Sequence, residues 1–411
     1  MNRGRWGPGR HSLRIATMKA IDEQVGRLLC SLGSRLLPAR PKPMPGPDTV
    51  RSIAVVKFWG MGSIVLMTPA IALLRERHPD AKITFVTQAA NRGVIDLLDG
   101  VDDMLTLEVG KGPMAFLASL TKLVADVRQR RFDLWLDFEF LTRFSALLAG
   151  VSGAKVAAGY HAPEIPRGDF HHVKVPFNNY WHITDNFCAL ASGDLEPASF
   201  ERPLQRIKAK PDAAALVAAK LAEAGWRPGE PYVILNPNAG ELALERRWST
   251  DRFARLADEL LATFPGWIVT VGAPAEREYV KGMVDAVQTQ ERLIDLSGRT
   301  NLDELVALFA GARLLVSNDT GPLHLASAVG TPTVAIFGPE TPTLFGPRGP
   351  QHRIIYKNLA CSPCLNIYNG RSVKCRFATT HCVTDISVGE VTAAARAQLE
   401  NWRSMAEIHG L

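Results

Sequence analysis

The sequence predicts an α/β protein of two similar domains, each a parallel sheet covered by helices on both faces, with a cleft between them and a basic helical segment in front. Three observations predict it. Short Val/Ile-rich runs alternate with helical stretches from residue 52, and the same alternation begins again near residue 231. Apolar runs of this length bounded by turns and helices are the mark of buried parallel strands. A stretch from about 195 to 230, holding Pro197, Pro203, Pro211, Pro228 and Pro231 around one helix at 213–224, separates the two series. Finally, 411 residues accommodate two or three domains at ~150 residues each. With 46% hydrophobic and 21% charged residues, 33 Gly and 27 Pro, the chain is neither fibrous nor disordered throughout. No apolar run reaches the ~18 residues of a membrane span.

The elements follow in order. Residues 1–50 hold nine Lys/Arg against three acids, a surplus that equals the whole net charge of +6. The body is therefore no polycation, and no nucleic-acid partner is expected. The segment lacks the unbroken apolar core of a secretory signal. Met18, Ile21, Val25, Leu28, Leu29, Leu32, Leu36 and Leu37 recur at steps of three and four, the pattern of an amphipathic helix. Prolines 38, 41, 43, 45 and 47 end it in a stiff linker. Such a helix either lies on an anionic membrane surface, through residues 11–37, or packs on its own domain or a partner.

In the first series the expected strands are 52–59, 82–88, 104–109, 132–138 and 155–160, with helices at 64–78, 92–98, 116–130 and 143–149. In the second the strands are 232–236, 267–272, 293–296, 313–318 and 333–338, with helices at 250–264, 275–287, 302–310 and 322–329. A last helix covers 387–405. The expected division is 1–50 for helix and linker, 51–205 and 206–385 for the two domains, and 386–411 for a helix returning to the first domain. Ligands of such sheets sit at the carboxyl ends of the strands.

Two strand ends carry chemistry. Gly60-Met61-Gly62-Ser63 follows the first strand and opens a helix. It is neither a P-loop nor a GxGxxG fingerprint, and reads either as a ligand loop or as a tight turn. Asn318-Asp319-Thr320-Gly321-Pro322-Leu323-His324 is more specific. Pro322 suits the first helical turn, Asp319 suits a cap or sugar hydroxyls, and the Thr320–Gly321 amides suit a diphosphate. A cap alone does not require Asp, Thr, Gly and His together.

Residues 52 to about 390 resemble the ADP-heptose:lipopolysaccharide heptosyltransferase family, glycosyltransferase family 9. The resemblance lies in VVKFWGMGSIVLMTPAIALLRERHPDAKITFV, FDLWLDFE, VILNPNAG, RRWSTDRFARLADEL and TVGAPAERE. It continues in LSGRTNLDELVALFAGARLLVSNDTGPLHLASAVGTPTVAIFGP and in CSPC. It implies the GT-B fold, two facing Rossmann-like domains with a central cleft. It also implies inverting, metal-independent transfer of a sugar from an ADP-sugar, without a cofactor. The acceptor it implies is a lipopolysaccharide-type or other lipid-linked saccharide at the inner face of the cytoplasmic membrane.

By the same resemblance Arg246 meets the donor diphosphate and Glu276 the donor ribose. Asp319, Thr320, Gly321 and His324 form the donor segment, and Asn238 belongs to a phosphate-proximal loop. Lys57, Gly60 and Gly62 belong to the first loop. The family's first loop ends in Gly-Asp, with that Asp as general base, whereas this chain has Ser63. A serine hydroxyl is no base unaided. Either the base has moved, to Asp137 or Glu139, or the acceptor needs less assistance, or the protein is a silent nucleotide-sugar-binding or scaffold paralogue.

Six cysteines are present, and without a signal a reduced cytoplasmic setting is the default. Cys361, Cys364, Cys375 and Cys382 fall within 22 residues, but their spacing is not that of a paired zinc ribbon. They are read as structural thiols or disulfides, with a metal site as the alternative. The histidines at 161, 171, 172 and 182 read as structural or surface groups, with acceptor contact as the alternative for His171 and His172.

Overall fold

The computed structural model describes residues 10–36, 38–162, 165–196, 202–240, 243–365 and 375–409, leaving out the side chains of 10–21 and 401–409. The chain forms two compact units, Met1–Arg202 and Pro203–Leu411.

In the first unit the strands are β1 (Ser52–Val56), β2 (Lys82–Gln88), β3 (Asp103–Leu107), β4 (Leu134–Asp137), β5 (Val156–His161) and β6 (Val173–Pro176). The helices are α1 (Arg10–Leu36), α2 (Met61–Val65), α3 (Thr68–Arg77), α4 (Arg92–Ile95), α5 (Pro113–Arg130), α6 (Arg143–Val151) and α7 (Ile183–Ser192). All strand pairs are parallel, in the order β3-β2-β1-β4-β5-β6. The sheet therefore reverses direction of progress between β1 and β4, which opens a crevice at their carboxyl ends. Ile53, Val55, Leu134 and Trp135 are fully buried, as strands covered on both faces require.

The single helix expected over 64–78 is two helices. Pro69 has no N–H to give the carbonyl of Val65, so the chain turns at Leu66–Met67 and restarts. Thr68 Oγ1 donates to that carbonyl instead, at 2.8 Å. The first helix also begins earlier than expected, at Met61, because Gly60 (φ +88°) turns the backbone there, a conformation open to glycine.

α1 lies on α6 through small and polar residues, while its described leucines, Leu28, Leu29, Leu32 and Leu36, are exposed. Cβ atoms at Gly26 and Gly33 would come within 3.0 Å of Arg143 Cβ and 2.8 Å of Phe170 Cζ, so a side chain at either position would have to displace its neighbour. Cys30 is buried with Ala146 and Phe170. The Asp22 carboxylate accepts from the backbone N–H groups of Arg143 and Phe144 at 3.0–3.1 Å, capping α6 from outside its own segment. The linker is held on the same unit, where Ala39 N–H donates to Asp169 O (2.7 Å) and Lys42 N–H to His172 O (3.2 Å). Leu37 lies outside the described residues.

The second unit repeats the topology. Its strands are β7 (Tyr232–Asn236), β8 (Trp267–Thr270), β9 (Leu293–Asp295), β10 (Leu314–Asn318), β11 (Thr333–Phe337) and β12 (His352–Tyr356). Its helices are α8 (Pro211–Ala222), α9 (Thr250–Leu261), α10 (Arg277–Val284), α11 (Leu302–Gly311), α12 (Gly321–Val329), α13 (Pro342–Phe345), α14 (His381–Thr384) and α15 (Val388–His409). The order β9-β8-β7-β10-β11-β12 is again parallel throughout, with the reversal between β7 and β10. α15 packs Val391, Ala395 and Leu399 into the core shared with Leu256 and Leu260 of α9. Trp248 Nε1 donates to Ile386 O at 2.9 Å, and Thr392 Oγ1 to Glu259 Oε2 at 2.6 Å.

The edge strands β6 and β12 and the helix α7 have no counterpart among the sequence expectations. VKVP and HRIIY are short and half polar, so neither shows the apolar run by which a central strand is recognised.

His352 on β12 is buried between hydroxyls, its ring nitrogens 3.0 Å from Ser327 Oγ and 2.9 Å from Thr333 Oγ1. Burial pushes its pKa from 6.5 down to about 4. The unfolded chain then binds the proton first, so this group removes stability as pH falls from 6.5 towards 4 and nothing further below that. The expected loss is about 3 kcal/mol. Denaturant titrations of wild type and His352→Gln between pH 7 and 4 check it, the variant showing the shallower slope.

Candidate active site

In the first unit β1 and β4 end side by side, with Val56 paired to Asp137. Beyond them Lys57 and Glu139, only 2% and 3% exposed, form an ion pair with Nζ–Oε2 2.9 Å. The other carboxylate oxygen of Glu139 accepts from the N–H groups of Phe58 (2.8 Å) and Trp59 (2.9 Å). Lys57 Nζ also lies 5.3 Å from the centroid of the Phe140 ring, a cation–π distance. Gln88 and Asn91 side chains hold Phe58 O at 2.7 and 2.9 Å. The backbone leading into Gly60 is thus fixed from three sides. Gly62 is buried and Ser63 half-buried on α2, and a Cβ at Gly60 would lie 3.1 Å from Ser63 Oγ.

Asp137 is fully buried. Its carboxylate pairs with Arg167, accepts from Ser145 Oγ (3.2 Å) and Glu139 N–H (3.1 Å), and lies 3.1 Å from His171 Nε2. Burial alone would raise its pKa, but the charge of Arg167 and these hydrogen bonds outweigh it and hold the carboxyl below its usual value. His171 is held low by burial, against the pull of Asp137. Arg167 and Ser145 have no sequence signal of their own, and His171, one of the histidines singled out from the sequence, is a buried partner of Asp137. They come from α6 and the β5–β6 connection, and only the fold brings them to Asp137.

In the second unit the loops after β7, β8 and β10 converge. Asn318 Nδ2 donates to Pro237 O (2.9 Å) and Asn238 O (3.2 Å), and its Oδ1 accepts from Trp248 N–H (3.1 Å). Asn236 Nδ2 donates to Thr320 Oγ1 at 3.0 Å and to Ser317 Oγ at 2.9 Å. Asn238 Nδ2 donates to Asn236 Oδ1 and to Val271 O, both at 2.9 Å. These amides tie the three loops into one framework.

Onto it Arg246 brings a guanidinium that donates from Nη1 to Asp319 O (3.0 Å) and Oδ2 (3.2 Å). His324 Nε2 lies 3.7 Å from Asp319 Oδ1. Gly272 brings the last member close, since a Cβ there would meet Asn238 Nδ2 at 2.9 Å and Glu276 Cβ at 3.6 Å. Glu276 Oε2 accepts from Ala273 N–H at 2.9 Å. Thr320 and Gly321 open α12, a nine-residue helix, whose first N–H groups carry partial positive charge. The structure thus brings together Arg246, Asn238, Glu276, Asp319, Thr320, Gly321 and His324. Sequence reasoning missed the stack of Arg247 on Tyr279, with the guanidinium 3.9 Å from the ring centroid. Nothing in the spacing of residues 247 and 279 marks it.

Two buried polar atoms of this cluster, Asn238 Oδ1 and His324 Nδ1, have no hydrogen-bond partner among the described residues. A buried polar atom left without a partner costs about 1–3 kcal/mol.

The four clustered cysteines are free thiols: Cys361 exposed, Cys364 and Cys375 half-buried, Cys382 buried. Burial pushes Cys382 up to about 12, and the neighbouring thiols add to the shift. Cys364 is raised in the same way. Residues 366–374 between them lie outside the described residues. Among the described residues no group of three or more His, Cys, Asp or Glu side chains is placed to hold a metal ion.

A sequence profile of glycosyltransferase family 9 (heptosyltransferase) matches residues 120–372. Lipopolysaccharide heptosyltransferase 2 of Escherichia coli K12 is 25% identical over 305 residues, 72% of this chain and 85% of that protein. The solved structure of an E. coli ADP-heptose LPS heptosyltransferase II superposes with a TM-score of 0.67 at 21% identity, over 85% of this chain and 99% of that one. A family 9 glycosyl transferase from Veillonella parvula gives 0.69 at 21% identity, over 85% and 97%. The fold is GT-B.

The Lys57–Glu139 pair yields a test. Lys57→Met leaves a buried, uncompensated carboxylate and is expected to destabilise the first unit by about 3–5 kcal/mol. Lys57→Met/Glu139→Gln keeps an acceptor for Phe58 and Trp59 N–H and is expected to recover most of that loss. Chemical denaturation of the wild type and the single and double variants checks it.

Proposed function

Because the chain belongs to glycosyltransferase family 9 (heptosyltransferase), we propose that it moves a sugar, by default heptose, from an ADP-sugar to a lipid-linked saccharide of lipopolysaccharide type. We assign the transfer to the cytoplasmic face of the membrane, with inversion and without a metal. The observation that carries this reading is the donor cluster of the second unit. Arg246, the Thr320–Gly321 amides and the start of α12 supply positive charge for a leaving diphosphate. Asn238 Oδ1 and His324 Nδ1 supply hydrogen-bonding atoms not used by any described residue. Glu276 stands beside Asn238 as the acceptor for ribose hydroxyls. Asp319 holds Arg246 in place through its carboxylate and its carbonyl. No described helix is long and apolar enough to cross a membrane, so the lipid-linked acceptor is met at the membrane surface in this reading.

The first loop takes the acceptor. Asp137 and Glu139 are buried and surrounded by donors, so their lone pairs are engaged and neither reaches a substrate hydroxyl without breaking that network. In this reading they hold the loop; the acceptor hydroxyl oxygen bonds to the anomeric carbon as that carbon's bond to the ADP diphosphate breaks, ADP leaves, and the hydroxyl proton passes to solvent water instead of to a carboxylate at position 63. Absence of a general base costs about 10²–10⁴ in rate, which leaves a slow transferase. The alternative of a silent nucleotide-sugar-binding paralogue rests on Ser63 alone, and the match to curated transferases over most of their length argues against it.

Calorimetric titration with ADP, UDP and GDP tests the donor site. Selective ADP binding is expected, weakened about tenfold to a hundredfold by Arg246→Ala and also lost in Asp319→Ala. Failure to bind any nucleotide would overturn the donor assignment. For the acceptor side, Ser63→Asp is expected to raise kcat by about 10²–10⁴ with ADP affinity unchanged. An unaltered kcat would show that this position does not face the acceptor oxygen.

A further inference from the structure

The unit-facing side of α1 is occupied by Asp22, Gly26, Cys30 and Gly33. The large aliphatic residues Val25, Leu29, Leu32 and Leu36 follow one another at steps of three and four on a different side, with Leu28 beside them. They are exposed, from 46% at Leu29 to 79% at Leu36. A helix that merely covered its own unit would place those leucines inward and its glycines outward. Here the small face is the docked one, and the apolar stripe is left outside.

We infer that this stripe docks the protein on an anionic lipid bilayer. The occupant is chosen by charge. The segment 1–50 that carries the stripe holds nine cations against three acids. One of those acids, Asp22, is already spent on the cap of α6. Arg27 and Arg35 are exposed on the same helix, and Arg10, Arg14, Lys19, Arg40 and Lys42 flank them in sequence. Leucines entering the acyl boundary with arginines at headgroup level is the arrangement of an interfacial helix. A second copy of the chain on the same face would set this basic segment against itself, which like-charge repulsion disfavours. The mount is rigid as well. Ser34 Oγ accepts from Asp169 N–H at 2.9 Å, and the linker is bonded to the unit at Ala39 and Lys42. Docking therefore orients the first unit instead of tethering it loosely. This deepens the reading of a lipid-linked acceptor and rests on it for its purpose, though its test does not depend on turnover.

The test is co-sedimentation of the full chain with vesicles of phosphatidylcholine alone and of phosphatidylcholine with phosphatidylglycerol. Binding to the anionic vesicles only, weakening with added salt, is expected. Leu28→Gln/Leu29→Gln/Leu32→Gln should lower it by about tenfold or more, with thermal unfolding unchanged because all three side chains are exposed. Arg27→Glu/Arg35→Glu should lower it too, and the exposed Leu216→Gln of α8 should not. No binding to anionic vesicles, equal binding to both compositions, or wild-type binding by the triple leucine variant would overturn the inference. A wild-type dimer that the triple variant dissociates, without vesicle binding, would overturn it in favour of a second copy. ADP titration of the same preparations separates this outcome from failure of the donor site.

Discussion

A parallel sheet buried on both faces admits almost no polar side chain along its strands, and that constraint governs this protein. β1, β7, β10 and β11 are apolar along nearly their whole length and shielded from water. Polar chemistry is thereby driven to the strand ends. With the order 3-2-1-4-5-6 in both sheets, the chain leaves the central pair in opposite directions. The carboxyl ends of that pair are where loops gather without a crossover helix covering them.

The two units use this position differently. The first fills it with a closed electrostatic network, in which Lys57 and Glu139 neutralise one another while Glu139 also holds the backbone of Phe58 and Trp59. Asp137, Arg167 and His171 form a second buried set beside it. Buried charges of this kind are poor sources of net stability, but they are costly to unpair. They therefore fix one conformation of the loop that ends at Gly60. The second unit leaves its position polar and incomplete. Three asparagine side chains knot the loops together, while Asn238 Oδ1 and His324 Nδ1 have no partner among the described residues. The first position is saturated with internal partners, while the second keeps buried polar atoms for which no partner is found among the described residues.

The N-terminal helix follows a separate logic. The sequence reading offered membrane contact and packing on the protein as alternatives; the structure packs the small face of the helix on its own unit and leaves the leucines exposed. Gly26 and Gly33 let the backbone approach α6, and the leucines are left free of that contact. A leucine periodicity states that a helix has an apolar side. It does not state that this side faces the protein's own core.

The sequence by itself determined the alternation of strand and helix, the repetition of that alternation, and the motifs at the ends of β1 and β10. Each of these depends on the period of apolar residues or on the turn chemistry of Gly and Pro within a few positions. It also carried the likeness to the family, since Asp319-Thr320-Gly321 with His324 is a local pattern. Short polar edge strands such as β6 and β12, the break at Leu66–Met67, and the outward face of α1 were decided only by tertiary structure. So were the partners of Asp137 and Glu139. Lys57 and Glu139 are 82 residues apart, and Arg167 and Asp137 are 30 apart. Whether a buried carboxylate is a free base or a brace depends on which charges the fold sets against it, and no local spacing records that.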